Sequence, residues 1–318
     1  MKKREKKRIA PNEASLVRWI IALAVSFPLG MLLLCPIAPF FMERVEITPN
    51  FTMISEYSFM GISFGGLLTE LAFMALFCGM VIAIRLIGKT SLKDFVLGVG
   101  GKVNKKECLT ITLLYVLGFV LSYLPNLGNI HLRHVNAGEF LFLVVFMVLT
   151  TWMQTSWEEF IFRGFLARWI CGNKLVFTKK SVIAAIVTSA AFALAHATNA
   201  EVDSQGGFRA VMAVTSYAIP GLVFFLANLH FGNLLPGIIM HAINNTLLYT
   251  VIAEEVTAMP LPTLLVSTAP HTGEVMLALH ILLYLPLVVY MILDARKKKK
   301  APGMHPEALG PQACTERN

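Results

Sequence analysis

The stretch 140–160, FLFLVVFMVLTTWMQTSWEEF, runs for 18 residues without a charge and then closes on two adjacent carboxylates, Glu158 and Glu159. An apolar run of that length is what crosses a hydrocarbon core about 30 Å thick. Outward from it lie seven more runs, at roughly 17–40, 59–88, 108–124, 181–198, 209–229, 231–252 and 274–294. The chain as a whole is 56% apolar and only 14% charged, with a mean hydropathy of +0.67. That exceeds the 45–50% apolar content of soluble domains. It excludes a disordered chain, a disulfide-stapled secreted domain and an ordinary cytosolic enzyme. The runs are too continuous for the alternating strands of an outer-membrane barrel. The expected fold is all-α, a polytopic membrane protein with about eight transmembrane helices in one bundle.

Charge placement gives the organisation. Lys and Arg concentrate at the N-terminus up to Arg18, at 85–106, at 163–180 and from Arg296 onward, 24 in all, against Arg44, Arg133 and Arg209 in the intervening loops. The positive-inside rule then puts both termini in the cytoplasm, and the protein in the cell (inner) membrane. The first run follows a basic segment, as in a signal peptide, but its length and the absence of a nearby cleavage site favour an uncleaved span. The chain divides into a basic N-terminus (1–16), three helices with loops (17–139), a polar-bearing region (140–252), an outer loop with helix eight (253–296), and a basic, disordered tail (297–318). The connector 91–107 is expected at the lipid headgroups. No nucleic-acid motif accompanies the basic ends, so the bilayer is the expected partner and nucleic acid is not. The five cysteines form no CxxC and read as free thiols; Cys314 stands fifth from the last residue, so no prenyl group is expected on this chain.

Ionisable groups in lipid cost about 2.5–3.5 kcal/mol or more, so each calls for a reason. Glu159 and Arg163 are i and i+4 and can pair. Glu158 then lacks a sequence-local partner, and a carboxylate left so in low dielectric has a raised pKa, which suits a general base. His196 closes FALAH at the end of the fifth run, and His241 and Asn245 share one face of the seventh, with Asn244 beside them. Glu70, in the second run, either lies one turn inside or marks a span that begins near Leu67. His131, His134, His230, His271 and His280 read as lone surface residues, and HLRH is not the HExxH of a zinc protease. Together these residues supply a base, an imidazole and oxyanion donors for water-mediated attack on an amide inside a membrane.

In this order, EExxxR (Glu158, Glu159, Arg163), FxxxH (Phe192, His196) and HxxxN (His241, Asn245) resemble the CPBP family over about residues 140–250. These are the type II CAAX prenyl endopeptidases and their bacterial relatives, also called Abi or bacteriocin self-immunity proteins. The resemblance implies an eight-helix bundle in which Glu158 and His196 activate water, His241 and Asn245 stabilise the oxyanion, and Glu159 and Arg163 shape the site. It implies a membrane-associated, possibly prenylated CAAX-like peptide or protein as substrate. No cofactor is expected to be required; the alternative is a His₂Glu zinc site of Glu158, His196 and His241. The competing readings are a non-enzymatic scaffold, an immunity factor or a transporter. For Glu158 and His196 to meet, helix four is expected to begin deeper than Phe140, near Val145, and to continue to about Arg168.

Overall fold

The computed structural model describes residues 16–47, 53–171, 177–254, 261–270 and 272–300. The basic N-terminus and the tail 301–318, with Cys314, His271 and Glu255, lie outside them. The described residues are helical almost throughout. Its long helices are α1 (Leu16–Leu34), α2 (Phe64–Leu86), α3 (Lys105–Tyr123), α4 (Ala137–Glu159), α5 (Lys179–Ala195), α6 (Gly207–Phe231), α7 (Leu235–Thr250) and α8 (Gly273–Lys300). Beyond Glu159, α4 passes through a π turn, Phe160–Leu166, into a last helical piece, Ala167–Cys171.

Among the described residues six of these helices are long and apolar enough to cross a membrane, making this a multi-pass membrane protein. The other two, α5 with 17 residues and α7 with 16, fall short. At 1.5 Å per residue they are about 25 Å long, less than the hydrocarbon thickness. They are also the helices that carry or lead to the site histidines. The eight expected runs thus all form helices, but six of them, not eight, have spanning length.

Local chemistry sets the ends. Ser63 caps α2 by accepting from Gly66 N–H, and Asn104 caps α3. A capping box between Thr178 and Ser181 opens α5. Gly232, at φ +71°, ends α6 in the left-handed region that glycine enters at no steric cost, and Pro236 sits in the first turn of α7. Asn136 accepts from Gly138 N–H and Glu139 N–H and starts α4 at Ala137. The expected start near Val145 is therefore wrong: an N-cap the apolar profile does not register extends the helix outward. The continuation past Arg168 is as expected.

Helix pairs approach through small residues, as membrane packing favours. A Cβ on Gly79 would lie 2.5 Å from the Ser26 carbonyl oxygen of α1, and one on Gly118 would run into that of Leu283, so α3 and α8 touch backbone to backbone. The core has several centres. One joins Tyr115, Phe119, Phe224, Met240, Tyr284 and Leu287, from α3, α6, α7 and α8. Another gathers Trp19, Met80, Phe95, Phe160, Phe165 and Ile238. Phe95 belongs to the connector, in its short helix Leu92–Leu97. It is fully buried, 5.2 Å from the Phe160 ring. The start of the connector is thus packed against the bundle, because its one aromatic side chain finds an apolar socket.

The loops where α2 and α4 begin and α3 and α7 end contain short strands. Glu46–Ile47 pairs with Met53–Ile54, and Ser58–Phe59 with Ile62–Ser63. Leu265–Ser267 lies between Ile130–Leu132, antiparallel to it, and Ile252–Glu254, parallel to it. Cys35, Cys78, Cys108 and Cys171 are free.

Candidate active site

Glu158 and Glu159 occupy the last turn of α4, where the helix widens. In the π turn that follows, Ala167 N–H reaches the Phe162 carbonyl, five residues back; such bulges are frequent at functional sites. Glu159 and Arg163 are both fully buried and pair at 2.8 Å through Oε1 and Nη1, as expected. Arg163 Nη2 donates to the Gly221 carbonyl of α6 at 2.9 Å, and its guanidinium lies 4.7 Å from the centre of the Phe192 ring. The arginine therefore ties α4 to α5 and α6 at membrane depth.

The same Glu159 Oε1 lies 3.3 Å from His241 Nδ1. The other ring nitrogen, Nε2, faces Glu158 Oε2 at 3.6 Å, beyond hydrogen-bond length. His241 thus stands between the two glutamates and is the partner Glu158 lacked in sequence. Room for this comes from Gly237, one turn earlier on α7: a Cβ there would lie 2.8 Å from Glu159 Oε2 and 2.9 Å from Asn228 Nδ2. One turn beyond His241, Asn245 Nδ2 points at Gln154 Oε1 of α4, 3.5 Å away. Asn245 Oδ1 accepts from Asn244 at 3.1 Å, and Asn244 Oδ1 accepts from the Tyr115 hydroxyl at 2.7 Å. A polar chain from α3 through α7 to α4 holds the asparagines.

His196 follows the last residue of α5. Its Nδ1 lies 2.7 Å from the Phe192 carbonyl oxygen. A carbonyl only accepts, so Nδ1 carries the proton and a neutral ring keeps Nε2 as its free acceptor. The ring is held between Phe192 at 4.4 Å and Tyr217 at 4.5 Å. Phe192 also packs against His241, with centroids 5.5 Å apart. His196 therefore joins the cluster through a shared aromatic wall, with Glu158 and His241 within electrostatic range.

Sequence reading passed over several neighbours. Gln154 and Tyr115 look like ordinary helix residues, and Tyr217 carries no motif. Glu201, in the loop after His196, accepts with Oε1 from the Tyr217 hydroxyl. His230 and His280 are not lone surface residues. His230 Nε2 lies 2.8 Å from Asp294 Oδ2, and His280 stacks with Tyr284 at 6.4 Å. His131 and His134 are exposed, as expected. Glu70 lies fully buried in a helix that begins at Phe64, not near Leu67.

Among the described residues no group of three or more His, Cys, Asp or Glu side chains is arranged to hold a metal ion. Glu158, His196 and His241 are neighbours, but as placed they do not form the His₂Glu set.

Residues 138–247, which carry every one of these motif positions, match the family described as "Type II CAAX prenyl endopeptidase Rce1-like". This segment is a type II CAAX prenyl endopeptidase Rce1-like domain. It runs from the first turn of α4 into α7 and includes the π turn, both site histidines and Asn245. The Rce1-like family is one of membrane proteases, and the match over this segment supports the resemblance to the wider CPBP group. The chain is also 24% identical over 254 residues to "Uncharacterized protein YyaK" of Bacillus subtilis (strain 168), covering 78% of this chain and 82% of that one.

Proposed function

We propose that the protein is an intramembrane endopeptidase that hydrolyses a peptide bond of a membrane-associated, CAAX-like peptide or protein. The observation that carries this reading is the placement of His241 between Glu158 and Glu159 in a buried cluster, 3.6 and 3.3 Å from their oxygens, within an Rce1-like domain. In the proposed reaction Glu158, with His196 alongside, takes a proton from water as its oxygen bonds to the scissile carbonyl carbon. His241 and Asn245 donate to the oxygen that becomes negative. As the C–N bond breaks, the proton held by Glu158 passes to the leaving amine. Glu159 orients His241 and neutralises Arg163, which is a shaping role. Oxyanion donors are worth most in such water-poor surroundings, because their charges are poorly screened there.

The test is direct. Protein purified in detergent is incubated with prenylated and unprenylated CAAX-like peptides, with and without exhaustive chelation, and the products are read by mass spectrometry. Cleavage is expected to survive chelation largely intact. Stoichiometric zinc whose removal abolishes activity and whose return restores it would overturn the metal-free scheme in favour of the His₂Glu alternative. Failure to cleave any peptide would count against the protease reading.

The 24-to-3 division of Lys and Arg supports the inner membrane as location, with both termini in the cytoplasm. A reporter fused after Asn318 is expected to behave as cytoplasmic; activity only on the outer side would reverse the topology.

A further inference from the structure

We propose that Tyr217, anchored by Glu201, is a positioning residue for His196, and that the segment from Ala197 to Gln205 is a strap that sets where this histidine stands. The inference rests on the protease reading for what His196 does, and on geometry alone for how it is held.

His196 needs such a device. It lies just past the end of α5, with φ −99° and ψ 4°; turn hydrogen bonds, from its N–H to the Ala193 carbonyl and from Asn199 N–H to its own carbonyl, hold its backbone but leave the ring's orientation to side-chain contacts. One face of its ring meets Phe192 at 4.4 Å, but that contact comes from its own helix, one turn back. The second face is covered from another helix, α6, by Tyr217. The two rings are 4.5 Å apart and inclined by only 20°. Such a stack restricts the tilt of the imidazole, and with Nδ1 held at the Phe192 carbonyl it fixes the direction in which Nε2 points.

Tyr217 is itself held at its far end. Its hydroxyl donates to Glu201 Oε1, and Asn199 Nδ2 donates both to the same carboxylate oxygen at 2.9 Å and to the Tyr217 hydroxyl at 3.3 Å. Glu201 stands in the short helix Ala200–Asp203, five residues after His196 in the chain. The loop therefore leaves His196, turns back, and grips the ring that covers it. The strap is tied down further on α6 and α8. Val202 is buried with Ala213 of α6 and Met276 of α8. Gln205 donates to the Glu201 carbonyl at 2.7 Å and accepts from Gly273 N–H, at the start of α8, at 2.7 Å. A loop acid, Glu201, is thus the anchor of a clamp on a site histidine. Arrangements of this kind matter because a misplacement of about 1 Å can cost 10²-fold in rate.

The test compares the full-length protein with Tyr217→Phe, Tyr217→Leu and Glu201→Ala variants in detergent. Two properties are read: kcat and KM on a peptide the parent cleaves, and the NMR signals of the His196 ring, assigned by their absence in His196→Ala. In the parent, the stacked rings should move those signals upfield. Tyr217→Phe keeps the ring and should retain both the shift and most of the turnover. Tyr217→Leu should lose the Tyr217 part of the shift and about 10²-fold in kcat, with KM and melting temperature near those of the parent. Glu201→Ala should fall between them, with broadened His196 signals. Unmoved His196 signals in Tyr217→Leu, or a parental kcat, would overturn the proposal. If no preparation cleaves, the parent included, the protease reading fails, while the ring signals still decide the clamp without substrate.

Discussion

A Glu158→Gln protein is expected to insert, purify and melt like its parent, and to cleave peptide about 10²–10⁴-fold more slowly, the range that general-base activation of water contributes. The substitution is nearly isosteric and removes only the ability to take a proton. Glu158 makes no ion pair with Arg163, whose partner is Glu159, and its Oε2 faces His241 Nε2 at 3.6 Å without a hydrogen bond. Little that holds the bundle together is lost with its charge. His196→Ala should fall into the same range, because it removes the imidazole that stands beside the proposed water. Asn245→Ala should cost about 10²–10³ in turnover, as for one oxyanion donor, with smaller effects on yield since Asn245 reaches Gln154 only at 3.5 Å. The three variants are to be compared on one peptide with parallel melting curves. Near-parental turnover of Glu158→Gln would remove Glu158 from the role of base, and leave the two carboxylates as charges kept for packing.

The residues that the sequence makes conspicuous are those lipid makes expensive. Glu158, Glu159, Arg163, His196, His241 and Asn245 stand out because they interrupt runs that would otherwise be apolar, and the fold gathers them on α4, α5 and α7. What holds them is far less visible. Tyr217 and Tyr115 are aromatic residues in helices full of aromatics, and nothing in one dimension says that Tyr217 covers His196. Glu201 is hidden by the opposite effect, since an acid in a polar loop needs no explanation. The π turn at Phe160–Leu166 has no compositional mark; only backbone hydrogen bonding reveals it. The early start of α4 was legible, for Asn136 followed by Glu139 is an N-terminal signal. An apolar profile overlooks it because the first turn is polar. Phe95 illustrates a further limit: an aromatic residue among lysines is amphipathic in any reading, and whether it meets lipid or a protein socket depends on Trp19, Phe160 and Phe165, which come from distant segments.

Glu159→Ala should fail in another way, through accumulation rather than chemistry. Glu159 and Arg163 are both fully buried, and the carboxylate oxygen that accepts from Arg163 Nη1 at 2.8 Å also lies 3.3 Å from His241 Nδ1. Deleting one member of a buried pair leaves an uncompensated charge and costs about 3–5 kcal/mol. Arginine cannot escape by giving up its proton, and at this depth water is remote. Membrane yield and melting temperature should therefore drop before any rate is measured. The physical cause can be separated from the site's chemistry by removing both charges. Replacing a whole buried pair by apolar side chains is often neutral or stabilising, so Glu159→Ala combined with Arg163→Met should regain much of the lost yield and melting temperature. The remaining deficit reflects the Gly221 carbonyl, which loses its donor at 2.9 Å. That rescued protein should still cleave poorly, since His241 has lost the carboxylate on Nδ1 that fixes its ring. A single Glu159→Ala protein that accumulates and melts like the parent would show that the pair does not hold α4 to α6. A double variant that is folded and fully active would show that Glu159 does nothing for His241.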